Sequence, residues 1–208
     1  MSANISKRKY NSKNHSTVSS VIYKVIHTTK STFFVTRMGN MERARIERRP
    51  DGVSNAIGID IGTVRCFGTG DLGTAGQGAG WAAPEAAHCW NDGPEAALQL
   101  VTQRPDFRCV LVVVGAPLVA TAARRQDVTL YGNGWRLGFW RLTQAAPVQL
   151  QAVIDPSQWR LDGKDAILDL AFHLPGSLRL SSVQADGDDR ELGFCFHTLA
   201  IFPAPHER

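Results

Sequence analysis

Residues 127–142 read DVTLYGNGWRLGFWRL. Two runs rich in β-branched, aromatic and aliphatic residues, Asp127 to Tyr131 and Trp135 to Leu142, flank Gly132-Asn133-Gly134, whose glycines admit positive φ. The pattern predicts an antiparallel hairpin closed by a three-residue loop. Trp135, Leu137 and Phe139 alternate onto one face of the second arm, with Arg136, Gly138 and Trp140 on the other. One tryptophan of this arm is therefore expected in the core and the other outside it.

The same two-residue period extends in both directions from this hairpin. Ala96 to Val101 reads as a short strand, and Arg108 to Val114 is a near-continuous β-branched run, the pattern of a strand covered on both faces. Gln149 to Val153 follows. Ala166, Leu168, Leu170 and Phe172 alternate with Ile167, Asp169, Ala171 and His173, and Leu192, Phe194 and Phe196 open a last strand that continues to Phe202. No long window beyond residue 55 has a helical period. Roughly eight short strands joined by Gly, Pro and Asp turns predict an all-β fold, an antiparallel two-sheet β-sandwich of jelly-roll type. No internal repeat of solenoid or propeller period is present.

The chain has 208 residues, 43% of them hydrophobic, enough for one well-buried core. Its net charge of +4 conceals an asymmetry. Residues 1–50 hold 11 Lys+Arg against 2 Asp+Glu, whereas the rest holds 12 against 17, so the cationic character belongs to an N-terminal arm. The expected organisation is a basic, mostly irregular extension over residues 1–50, then a β-sandwich domain over residues 51–208 whose core runs from about residue 55 to residue 203. Residues 1–17 are polar and cationic, a composition that favours disorder. Residues 18–50 are ambiguous, and Pro50-Asp51-Gly52 supplies the turn at the boundary. An organelle transit peptide, or a true start at Met38 or Met41, would also explain the arm.

The apolar stretch Val18 to Val35 is interrupted by Lys24, His27 and Lys30, unlike a secretory signal. The longest apolar run, Cys109 to Ala120, is too short for a transmembrane segment. Cys66, Cys89, Cys109 and Cys195 lie far apart with no CxxC pair, which argues for buried free thiols rather than a zinc ribbon. A soluble, cytoplasmic protein with no cofactor is the expectation.

Several strings suggest chemistry. Gly58-Ile59-Asp60-Ile61-Gly62-Thr63 resembles the first phosphate loop of the sugar kinase, actin and heat-shock chaperone superfamily, but the remaining chain is too short for the two α/β halves those enzymes need. A strand followed by a turn is the better account. The Gly-rich residues 68–80 precede no helix with the Lys-Ser/Thr of a phosphate site, and read as a loop before Trp81. Asp186, Asp188 and Asp189 could help ligate calcium, although Asp-Gly clusters mark turns more often. His88 beside Cys89, and Cys195 two residues before His197, offer soft ligands or a Cys-His pair, yet two ligands do not make a metal site and nothing adjacent activates a thiol.

Trp81 and Trp90 bracket a loop that also carries Glu85 and is followed by Asp92. Aromatic rings pack against the apolar faces of sugars while a few polar groups fix orientation. With Phe67-Gly68, Gly80-Trp81-Ala82-Ala83-Pro84-Glu85, Trp90-Asn91-Asp92-Gly93-Pro94-Glu95-Ala96-Ala97-Leu98, Gly132-Asn133-Gly134, Leu137-Gly138 and Asp189-Arg190-Glu191-Leu192-Gly193-Phe194, the segment from Phe67 to Phe202 resembles a jelly-roll accessory domain of bacterial surface-polysaccharide biosynthesis proteins. Such domains are often attached to glycosyltransferases or membrane sugar transferases. The resemblance implies a non-catalytic, carbohydrate-associated module; the basic arm before Pro50 has no counterpart in the pattern.

The expectation is therefore a glycan-binding surface, or a docking surface for a polysaccharide-synthesis enzyme, edged by Trp81, Glu85, Trp90 and Asp92. No constellation compels an enzymatic reading. Glu85 and Asp92 would serve as glycosidase acid and base only at a defined separation. Alternatives are a protein-interaction domain with no glycan ligand, and an arm that binds nucleic acid or anionic membrane. The arm's aromatic platform, Tyr10, Tyr23, Phe33 and Phe34, is thin for single-strand binding, and the acidic domain itself is no nucleic-acid partner.

Overall fold

The computed structural model describes residues 56–73, 78–119, 124–182 and 189–205, all within one compact unit, Asn40–Arg208. The extension, its boundary at Pro50-Asp51-Gly52, and Asp186 and Asp188 lie outside the described residues. In chain order the strands are β1 (Ile57–Gly58), β2 (Val64–Cys66), β3 (Cys89–Trp90), β4 (Glu95–Gln103), β5 (Cys109–Pro117), β6 (Gln126–Gly132) and β7 (Trp135–Leu142). They continue with β8 (Val148–Ile154), β9 (Arg160–Asp162), β10 (Asp165–His173), β11 (Leu178–Arg179), β12 (Glu191–Leu192) and β13 (Phe194–Pro203). Two short 3-10 turns, Pro156–Gln158 and Leu180–Ser182, are the helical content of the described residues, and none of it is long and apolar enough to cross a membrane.

One sheet has the order β1-β4-β10-β6-β7, with β9 also on β10; the other has the order β2-β13-β5-β8, with β3 also on β13. The chain changes sheet on passing from β4 to β5, β5 to β6, β7 to β8, β8 to β9 and β10 to β13, the alternation of a jelly-roll sandwich. Pairing is antiparallel apart from β1 on β4, and β11 with β12 forms a separate small ribbon. Period-2 alternation puts Leu98 and Leu100 of β4, Leu168, Leu170 and Phe172 of β10, and Leu111 and Val113 of β5 into one core between the sheets. On the opposite face of β5 Val112 is also buried, while Val110, Val114 and Ala116 are half-buried, so the outer face is covered only in part.

Three local expectations are corrected. The 127–142 hairpin closes with two residues, because Gly132 pairs with Trp135 and only Asn133 (φ 49°) and Gly134 (φ 83°) form the turn. Both turn residues have positive φ, the type I′ geometry that matches strand twist. The amide of Asn133 also bonds Asp169 across the sheet, and its side chain donates to the carbonyls of Gln158 and Ile167. A Cβ at Gly132 would lie 2.6 Å from Leu137 Cδ1, the end of a side chain that would have to shift to admit it.

Second, a register shift between Leu130 and Tyr131 leaves Leu137 as the extra residue of a β-bulge. Beyond it the faces invert relative to simple alternation. Leu137, Trp140 and Leu142 all pack on the core, with the Trp140 ring lying over Gly138 in the space a Cβ would occupy. Phe139, expected beside Leu137, instead points outward, 49% exposed, with the Arg141 guanidinium 5.9 Å from its ring centre. Third, Leu192 belongs to β12 rather than to the final strand, which begins at Phe194 and has its own bulge between Phe196 and Thr198.

The Gly58-to-Thr63 string forms a strand end and a turn. Ile57 and Ile59 enter the core, Thr63 N–H bonds Asp60 C=O, and β2 follows instead of a helix.

Candidate functional site

Residues 82–90 form a narrow excursion whose ends are tied by Ala82 N–H to Trp90 C=O at 3.0 Å and whose tip is tied by Glu85 N–H to His88 C=O at 2.9 Å. β3 then lies against β13, with Cys89 opposite Phe196 and Trp90 opposite Cys195. Directly opposed residues share a face. Cys89 and Phe196 therefore enter the core, while Trp90 and Cys195 occupy the outer side of the sheet.

This arrangement separates the four residues singled out in the sequence. The Trp81 ring stacks on Phe67 at 5.3 Å, meets Phe196 edge-on at 4.8 Å and Phe172 at 6.4 Å, and donates its Nε1–H to Ala97 C=O at 2.6 Å. Its polar atom is satisfied and its ring seals the core edge. Glu85 and Trp90 come together around His88: Glu85 Oε2 is 3.0 Å from His88 Nε2, and the Trp90 and His88 rings meet edge-on at 6.5 Å. Asp92 lies beyond, and its Oδ1 accepts the Glu191 N–H at 2.9 Å.

The two histidines were visible in sequence only as isolated neighbours of cysteines. Folding stacks His88 on His197 at 5.7 Å and 23°, because β3 pairs with β13 and brings the excursion over the outer face that His197 shares with Cys195. Nothing in the local sequence announces that meeting. Cys195 lies beneath this cluster, with its thiol pushed up to about 12 by burial and by the Glu85 carboxylate and Cys89 beside it. A thiol raised this far stays protonated at physiological pH, which does not favour a Cys-His nucleophile. Among the described residues no three His, Cys, Asp or Glu side chains gather as a metal site. What remains is a half-buried indole and an imidazole on the sheet, with an exposed carboxylate and a second imidazole on the excursion above it, equipped to pack against a ring and exchange hydrogen bonds.

Burial, and then the neighbouring His88, lower the pKa of His197 below its ordinary 6.5. The unfolded chain therefore takes up this proton first as pH falls. The resulting stability is fully present above about pH 6.5 and is lost as pH drops through the lower folded value. Urea midpoints measured at stepwise pH are expected to decline below 6.5, and His197→Asn to flatten that decline. An unchanged slope in the variant would assign the effect elsewhere.

No protein-family model matches the chain, and no curated protein does. Among solved structures, it is similar to the EclA C-terminal domain, described as a sugar-binding protein, at 17% identity and TM-score 0.33 over 50% of this chain and 64% of that one, just under two thirds of its length. It is similar to the CBM36-1 domain of a multidomain xylanase from the hindgut metagenome of Trinervitermes trinervoides at 10% identity and TM-score 0.43, over 69% of this chain and 98% of that one. A family 35 carbohydrate binding module from an environmental isolate aligns at 9% identity and TM-score 0.34, over 71% of this chain and 90% of that one.

Proposed function

We propose that the sandwich is a non-catalytic, carbohydrate-associated module that binds a glycan on the outer surface carrying Trp90, Glu85 and His88. The observation that carries this reading is the half-buried Trp90 indole held next to the Glu85–His88 pair by backbone pairing rather than by a mobile loop. A sugar face packs on the indole, its hydroxyls donate to the Glu85 carboxylate, and His88 supplies a second polar contact. Trp81 supports the surface from the core side, and Asp92 lies at its rim with one oxygen already engaged. The thiol beneath is neutral and the carboxylates have structural partners, which favours binding over covalent chemistry.

The test is a titration of the full chain with bacterial surface polysaccharides and oligosaccharides, read by tryptophan fluorescence and calorimetry. Trp90→Ala is expected to weaken binding by about tenfold or more, as loss of a central aromatic contact does, without changing the urea midpoint appreciably. Cleavage of activated glycosides that Glu85→Gln abolishes would overturn the non-catalytic part. If no glycan binds, including the polysaccharide of the source organism, docking of this surface on a polysaccharide-synthesis enzyme becomes the preferred reading.

A further inference from the structure

The four sheet edges are not protected equally. In the first sheet, β7 carries a bulge and two cations, Arg136 and Arg141, and β1 is two residues long, with the 78–80 segment bonded to β4 beside it. In the second sheet, β2 is three residues long and holds Arg65, paired with Asp71. Short strands, bulges and charges are the devices that keep sheet edges from pairing with other chains. β8 has none of them. It runs Val148-Gln149-Leu150-Gln151-Ala152-Val153-Ile154, with no charge, proline or glycine, and pairs with β5 in unbroken register from Cys109↔Ile154 to Gly115↔Val148. Among the described residues nothing bonds to its other edge.

We propose that β8 is a homodimerisation strand, pairing antiparallel with β8 of a second copy of this chain to join the two five-stranded sheets into one. An antiparallel edge is self-complementary about a twofold axis, so a second copy can pair with the outward backbone groups of β8, which bond nothing among the described residues. Full overlap of the two strands places Gln151 against its own copy on the axis. Val153, 40% exposed beside Val110 and Phe202, then comes next to Gln149 of the other copy and is covered. The uncharged outer row Gln149, Gln151, Val153 imposes no repulsion across the junction. This inference stands apart from the glycan reading, since it uses the opposite edge of the sheet from β3.

Sedimentation velocity of the full chain over a hundredfold concentration range tests it. The wild type is expected to sediment as a dimer that dissociates on dilution. Gln151→Lys sets like charges across the axis and is expected to weaken association by about tenfold or more, the factor equivalent to about 1.4 kcal/mol, with unchanged circular dichroism. Val153→Lys, at a position already exposed, serves as a second variant; it replaces the apolar contact with Gln149 of the other copy by a charge and is expected to weaken association to a smaller extent. An equimolar mixture of Gln151→Lys and Gln151→Glu is expected to restore the dimer. A wild type that is monomeric throughout, a dimer indifferent to both lysines, or a mixture that remains dissociated would overturn the pairing.

Discussion

Asn91→Ala is expected to lower the unfolding free energy by about 3–5 kcal/mol, because each buried polar group left without a partner costs about 1–3 kcal/mol and this side chain serves several. Asn91 is fully buried. Its Oδ1 accepts the amides of Gly193 at 3.0 Å and Phe194 at 2.6 Å, both in the buried entry to β13. Its Nδ2 donates to Gly93 C=O at 2.6 Å and to Ser177 Oγ at 2.9 Å. One side chain thus ties the turn after β3, the start of the final strand and the segment leading to β11. Alanine removes all of these bonds and leaves a space bounded by backbone. Asn91→Asp keeps the acceptors but turns a charged oxygen toward carbonyls in a buried site, so it is expected to be at least as destabilising. Urea unfolding followed by circular dichroism measures both. A loss below about 1 kcal/mol for alanine would mean that water satisfies the exposed amides.

The sheets were legible in sequence wherever strands keep strict alternation. β4, β6 and β10 bury alternate residues and match their sequence ranges to within two residues at each end. β5 was legible as an apolar, β-branched run, although only Val112 of its outer face is buried and Val110, Val114 and Ala116 are half-buried. Legibility failed at the bulges. An extra residue at Leu137 and the register break near His197 each reverse the faces downstream, and neither has a composition signal, because the bulged residue is decided by the partner strand. The same limit governs the candidate site. Trp81 and Trp90 look equivalent as markers of one loop, yet Trp81 sits at the isolated bridge to Asn91 with its ring turned into the aromatic cluster, while Trp90 lies one residue out of phase on β3. Their difference depends on which residue of each strand faces Phe196. That is a matter of register between segments about a hundred residues apart.

Trp81 is half-buried against the core, so Trp81→Ala is expected to cost about 3 kcal/mol, the low end of the range for removing a large aromatic side chain from a core. Three ring contacts disappear together, with Phe67, Phe172 and Phe196, and Ala97 C=O loses its indole donor. The cavity would open between residues from both sheets, where neighbouring aromatic rings cannot collapse inward without disturbing β10 and β13. Trp81→Phe keeps a stacking ring and is expected to recover more than half of the loss, the remainder reflecting the missing Nε1–H and the smaller volume. The contrast with Trp90→Ala separates stability from recognition. Trp81→Ala should shift the urea midpoint strongly while its folded fraction, examined well below the transition, still binds glycan with nearly wild-type affinity. Trp90→Ala should do the reverse. If Trp81→Ala instead abolished binding with a stability change below about 1 kcal/mol, the indole would have to leave the core to meet the ligand, and the binding surface would extend across the edge of the sandwich to Ala97.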